Sequence, residues 1–348
     1  MKGILNMVWI TTLKNNLATL LRMKLYAGRS LTTVPENALV LFPCSQATLH
    51  CGLAGIVAVK SATVQKASVD IDVLELKVKR IAERNFNRCS AQNLPLKGQY
   101  LSGNEALDRL FSDIKRLKHT RAFIDLLLDR ARLDRIAGLS EKVSALIQEE
   151  EKALKANMGH LDTGLVEYMS TGLETLKDTH WCLTEEIIGN IEKTRDLISY
   201  SPATRQLASL KIFREVNAVL NSIDRLEVRG RDSAGISLLF ILAGDQFAEF
   251  QHTLAEDGLT QTLKERMSQK VLLNNDISIF PQVPEGAVKQ ISISFTYKIA
   301  AEIGSLGDNI TFIREQIKND AIFQRLVTES LIHYTLSSHS RWASIGEI

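Results

Sequence analysis

The sequence predicts an α+β protein interrupted by a large all-α insertion, and three observations lead there. Two short apolar runs, Gly52 to Val59 (GLAGIVAV) and Gly235 to Ala243 (GISLLFILA), have the length and character of buried strands. Between them, from about Ile71 to about Ile198, apolar residues recur at spacings of three and four, the period of amphipathic helices. Later, Val288 to Lys298 (VKQISISFTYK) alternates as a strand with one buried face does. Strand, inserted helices, helix, strand and mixed elements make an α+β order.

Within the insertion, Leu107, Leu110, Ile114 and Leu117 set one stripe, and similar stripes run through Phe123 to Ile136, Val143 to Leu154 and Leu173 to Ile198. Gly138, Gly159, Gly164 and Gly172 are expected to punctuate them, giving an antiparallel bundle or long hairpin. The run Glu149-Glu150-Glu151-Lys152 is expected to be a solvated face. Ser201-Pro202 ends the module. An amphipathic helix from about Thr204 to Leu226 follows, closing at Arg229-Gly230, and another runs from about Asn309 to Lys318.

The 348 residues are 45% hydrophobic and 24% charged, with a net charge of +2, enough material for more than one packed unit. So even a balance gives no electrostatic reason for nucleic acid or an anionic membrane as partner. Cys44, Cys51, Cys89 and Cys182 show no CxxC spacing, so neither a disulfide framework nor a zinc site is expected, and a reducing, cytoplasmic setting is the simplest reading. No apolar run is long enough to span a bilayer. Residues 1–50 carry five Lys or Arg against one acid, Glu36; a leader or propeptide has this bias, and a mis-assigned start explains it equally well.

Three stretches carry the chemistry. The first is Cys51-Gly52-Leu53-Ala54-Gly55-Ile56-Val57, the second Arg225-Leu226-Glu227-Val228-Arg229-Gly230-Arg231-Asp232-Ser233-Ala234-Gly235, and the third Ser340-Arg341-Trp342-Ala343-Ser344-Ile345-Gly346-Glu347. Alone, the first reads as a buried structural thiol or as a strand-edge nucleophile. A capped helix-to-strand turn with a surface ion pair explains the glycines of the second but not its packed polar residues.

Taken together and in this order, they resemble the class II, N-terminal-nucleophile glutamine amidotransferases, with CGIxG, RLEYRGYDSAG and TRWATHG segments. Arg225-Leu226-Glu227 and Arg341-Trp342 lean towards the glutamine–fructose-6-phosphate aminotransferase (glucosamine-6-phosphate synthase) branch rather than the phosphoribosyl amidotransferases. The resemblance implies an αββα sandwich, incomplete here, built from residues 51–60 and 204–348, with 61–203 inserted. It implies that Cys51 attacks the glutamine amide while its own α-amine carries the proton, and that Arg341, Trp342 and Ser344 bind glutamine. Arg229, Gly230 and Asp232 would support the nucleophile end.

It also implies a partner set: L-glutamine, fructose 6-phosphate through downstream sugar-isomerase domains, no cofactor, no metal, and room for a homo-oligomer. Three departures matter. Residues 1–50 precede Cys51, so its amine must be freed; Ile345 stands where the family has histidine; and the family's oxyanion Asn-Gly pair lies beyond the third segment. The chain therefore reads as an N-terminal portion, inactive alone, since one lost oxyanion donor costs on the order of a hundredfold in rate. A rival reading is a non-catalytic interaction protein whose working part is the helical insertion. His180-Trp181-Cys182 is expected to be a packed helix face rather than a metal site, and Asp308 or Asn309 an N-cap rather than part of a phosphate loop.

Overall fold

The computed structural model describes residues 38–41, 51–58, 69–199, 206–227, 232–268, 273–282, 290–300 and 305–341. In chain order these form β1 (Ala38–Leu41), β2 (Cys51–Ala58), α1 (Ile71–Ala82), α2 (Phe86–Ala91), α3 (Asn104–Lys115), α4 (Thr120–Leu128), α5 (Arg130–Asn157), α6 (Thr163–Trp181), α7 (Asn190–Asp196) and α8 (Leu207–Leu226). There follow β3 (Ser233–Ala243), α9 (Gly244–Glu256), α10 (Thr260–Met267), β4 (Asp276–Gln282), β5 (Gln290–Ala300), α11 (Asp308–Asn319), α12 (Ala321–Leu326) and β6 (His333–Arg341). The protein is α+β. Its strands make one six-stranded sheet in the order β1-β2-β6-β3-β5-β4, antiparallel throughout from β2 to β4. A second sheet, which a complete αββα sandwich requires, is not among the described residues.

Helices α1 to α7 share one apolar cluster, into which Leu107, Leu110, Ile114 and Leu117 all point. The single stripe expected from Phe123 to Ile136 is two helices. Asp129 takes an extended conformation (φ −108°, ψ 98°), and its carboxylate accepts the N–H of Arg132 at 3.0 Å, capping α5 as α4 ends. The glycines divide differently from expectation. Gly159 lies in the α5–α6 connection and Gly164 in the first turn of α6, but Gly138 and Gly172 sit well inside helices. At Gly172 a Cβ would stand 3.2 Å from both Asn104 Oδ1 and Leu107 Cδ1, so this glycine lets α6 approach α3 closely.

The acidic run of α5 is also not simply solvated. Glu150 is fully buried and accepts the N–H of Phe86 at 3.2 and 3.3 Å, while Glu149 accepts from the Asn85 side chain at 2.8 Å. Glu150 thus satisfies the first N–H of α2, and the Asn85 amide held by Glu149 accepts the Arg88 N–H at 2.8 Å as the N-cap, so two N–H groups without a partner inside the helix are met. Burial raises the Glu150 pKa. Glu149, Glu151 and Lys152 are exposed, as a solvated face requires, and Glu151 pairs with Lys177 at 2.6 Å; Glu150 is the exception.

The second apolar cluster joins one face of the sheet to α8, α9, α11 and α12. Alternation assigns Ala54 and Ile56 of β2, Leu336 and Tyr334 of β6, Ile236, Leu238 and Phe240 of β3, and Ile293 and Phe295 of β5 to this face. Phe323 of α12 is its hub, with ring centroids 5.9 Å from Phe213, 6.0 Å from Phe240 and 5.7 Å from Phe295. The residues alternating to the other face, among them Thr335, Ser337, Ser237 and Ser294, belong to neither cluster.

Polar contacts join the helical module to the sheet part. Arg214 of α8 donates to the Lys118 carbonyl at 2.9 Å and lies 5.4 Å from the Phe123 ring. Arg314 of α11 donates to Asn217 and Asn221 at 2.8 and 2.7 Å, and both amides donate in turn to Asn190 at the start of α7.

Phe323→Ala removes the ring that three other aromatics share. It is expected to cost about 3–5 kcal/mol in urea unfolding, without altering the helical module's own packing. A loss below about 1 kcal/mol would mean that the cluster closes over the gap.

Candidate functional site

The three motif segments converge because β6 runs between β2 and β3. Arg341, the last residue of β6, stands opposite Cys51 on one side and opposite Ser233 on the other. One residue outward, the Asp232 N–H donates to the Arg341 carbonyl at 3.1 Å, extending the ladder past the end of β3. Adjacent strands lie about 4.8 Å apart, so one row of roughly 10 Å holds a residue from each motif. For Cys51 this strand position is what the structure describes. Arg341 is exposed and Asp232 partly so, placing this end of the sheet at the surface.

One row inward, Leu53, His339, Gly235 and Lys298 stand side by side across β2, β6, β3 and β5. A Cβ on Gly235 would meet His339 Cε1 at 2.9 Å and Lys298 Cγ at 3.1 Å, so the imidazole and the lysine stem occupy the space that a side chain here would take. Ser338 Oγ donates to the Gly235 carbonyl at 2.8 Å. Burial, then Lys298 and then Arg341, depress the His339 pKa to about 4, leaving a neutral ring at physiological pH. Burial also lowers the Lys298 pKa, against the attraction of Asp276.

The second motif has a further anchor, Glu227. It directly follows α8, is almost wholly buried, and accepts the N–H of Gly307 at 2.5 Å. Gly307 has φ 93°, a left-handed conformation that glycine adopts without a Cβ clash, and it caps α11. The expected N-cap at Asp308 or Asn309 is therefore corrected: both are helical, and the Asp308 carboxylate accepts the Ser305 N–H at 2.8 Å instead. Glu227 thus ties the end of α8 to the start of α11.

Arg229, Gly230, Trp342 and Ser344 lie outside the described residues, so of the expected site the structure brings together Cys51, Asp232 and Arg341. Two neighbours were not singled out beforehand, His339 and Lys298. The alternation Ser337, His339, Arg341 was the available signal for the first, since residues two apart share a strand face. Lys298 has no such local mark; only the long-range register reveals it. Elsewhere, Trp181 projects into solvent, so His180-Trp181-Cys182 is not a wholly packed face. Cys182 is buried, and its pKa is pushed up to about 12, mainly by that burial.

Comparison with protein-family models, with curated proteins and with solved structures finds no match for this chain. Among the described residues no helix is long and apolar enough to cross a membrane, and no group of His, Cys, Asp and Glu is arranged to hold a metal ion.

Glu227 gives this end of the fold a pH signature. Burial raises its pKa above the ordinary 4.5, Asp224 and Asp308 add to the rise, and the bonds from Gly307 and Asn309 oppose it. A carboxyl raised on folding binds more protons in the native state between its two pKa values, so its contribution to stability falls as pH rises through that interval. Glu227→Gln keeps a carbonyl acceptor for Gly307 and removes the titration. Relative to wild type, the variant is expected to gain stability as pH increases from acid towards neutrality, read from urea midpoints across the range. Parallel curves would show that burial does not set the Glu227 equilibrium.

Proposed function

We propose that this chain carries the glutamine-hydrolysing site of a class II amidotransferase of the glutamine–fructose-6-phosphate aminotransferase type. The observation that supports it is the register joining Cys51, Arg341 and Ser233 in one row, with Asp232 bonded to Arg341. Motifs far apart in sequence have no need to meet in an arbitrary fold, whereas a common site demands it.

In this reading the Cys51 sulfur attacks the side-chain amide carbon of glutamine, forming a C–S bond and a tetrahedral oxyanion. The Cys51 α-amine takes the thiol proton and gives it to the departing nitrogen. The C–N bond breaks, ammonia leaves, and a glutamyl thioester remains. Water then cleaves the C–S bond to release glutamate and restore the thiol. An α-amine titrates near ~7.7–8.0, suited to moving a proton both ways at neutral pH. This requires the Cys51 nitrogen to be free of residues 1–50.

Arg341 offers the α-carboxylate a planar fork, which a lysine cannot reproduce. By the family resemblance, Trp342 and Ser344 would complete the glutamine site, and Arg229, Gly230 and Asp232 would support the nucleophile end. The ammonia acceptor is fructose 6-phosphate, the product glucosamine 6-phosphate, and the setting cytoplasmic.

An electrophilic glutamine analogue is expected to label the native protein at Cys51, located by peptide mass, with Cys51 as the amino-terminal residue of the labelled species. Arg341→Lys is expected to raise KM for glutamine by at least about tenfold. Glutaminase activity from protein that retains the residues ahead of Cys51 would refute the mechanism. Absence of labelling in processed protein would favour the helical module as the working part.

A further inference from the structure

The row beneath Cys51, Arg341 and Ser233 assigns a role to a residue outside the three expected binding positions. We propose that His339 is a positioning residue of the site: seated over Gly235, between Arg341 and Lys298, its ring is the floor that holds the Arg341 guanidinium ready for an amino-acid carboxylate. This rests on the glutaminase reading and deepens it.

The geometry begins with alternation. His339 and Arg341 are two apart on β6, so both side chains leave the same face of the sheet. Gly235 is the partner of His339 on β3, and Lys298 the partner of Gly235 on β5. Because β3 contributes no side chain here, the ring from one neighbour and the stem from the other close over it: His339 Cε1 and Lys298 Cγ lie 2.9 and 3.1 Å from where a Cβ would stand. Any larger residue at 235 would displace one of them. The vacant Cβ position is therefore a seat for the imidazole.

Among the described residues, the charges acting on that ring are those of Lys298 and Arg341. Lys298 comes from β5 and Arg341 from β6; β2 supplies Leu53 and β3 supplies glycine in the same row, with Asp276 of β4 acting on Lys298 from the next. Two cations flanking a neutral ring present a positive rim to a carboxylate without a third charge to repel Arg341. Burial and the two cations keep the ring uncharged down to about pH 4, so the floor does not change charge across physiological pH.

The test uses the native protein and two independent readouts. By NMR, the His339 imidazole is expected to titrate well below an ordinary histidine. Lys298→Met should raise that pKa by removing a cation, and Gly235→Ala should raise it further by unseating the ring into water. In glutamine hydrolysis, His339→Ala and Gly235→Ala are expected to raise KM about tenfold while kcat changes less than about threefold, with partial recovery in His339→Gln. A general structural defect would instead lower the unfolding midpoint and kcat together.

An ordinary imidazole titration that ignores Lys298→Met overturns the proposal, even if His339→Ala cannot be folded. So does a folded His339→Ala protein with unchanged KM. Should the titrations behave as expected while wild type shows no action on glutamine, the glutaminase reading fails and takes the carboxylate role with it.

Discussion

The arrangement rests on one constraint, the register of β6 between β2 and β3. Side chains alternate along a strand, so a slip of one residue would turn Thr335 and Ser337 into the apolar cluster and expose Leu336. Leu336 sits opposite Leu238 on one side and Ile56 on the other, and all three belong to the cluster around Phe323. Burial of those side chains fixes the register. The same register, carried five residues further, sets Arg341 between Cys51 and Ser233. Packing at one end of the strands thus determines which polar residues meet at the other.

A helical module separates β2 from α8 in sequence without separating them in space. Closing a long loop costs little more than closing a moderate one, because the entropy grows only with the logarithm of length. The module adds its own core, and polar bonds attach it: Arg214 reaches the Lys118 carbonyl, and Arg314 joins three asparagines from α7 and α8. Burial lowers the Arg314 pKa, with Asp224 and Asp196 opposing the shift. A guanidinium held there needs those amide oxygens, since a buried charge without hydrogen bonds is costly. The attachment is accordingly specific in geometry, unlike a purely apolar contact.

The sequence made much of this legible where periodicity is local. The stripe from Leu107 to Leu117 identifies α3 and the turn after it, and the uninterrupted run at Ile236 identifies β3. Three features resisted. Asp129 breaks a continuous apolar pattern by capping from within it, a role its residue type permits but its neighbours conceal. Glu150 lies in a run of charge yet is buried, because its partner is the backbone of Phe86, far away in the chain. Lys298 joins the site only through two successive strand pairings. Motif order pointed to segments that meet, while their neighbours His339 and Lys298 depended on contacts that no local window contains.

The residues of β6 that alternate onto the apolar face change character along the strand. Tyr334 and Leu336 are apolar; Ser338 and Ser340 are not, although both are buried. For Ser338 the cost is offset by its bond to the Gly235 carbonyl. The Ser340 hydroxyl finds no partner among the described residues, and an unsatisfied buried hydroxyl costs about 1–3 kcal/mol. A valine at either position would suit the apolar face better by local rules alone. Departures from such rules concentrate where a fold serves something other than its own stability. Here they fall on the two positions flanking His339, at the end of the sheet where the three motif segments meet, while the aromatic cluster stabilises the opposite end. Apolar packing and buried polar side chains are thereby divided along the length of one strand.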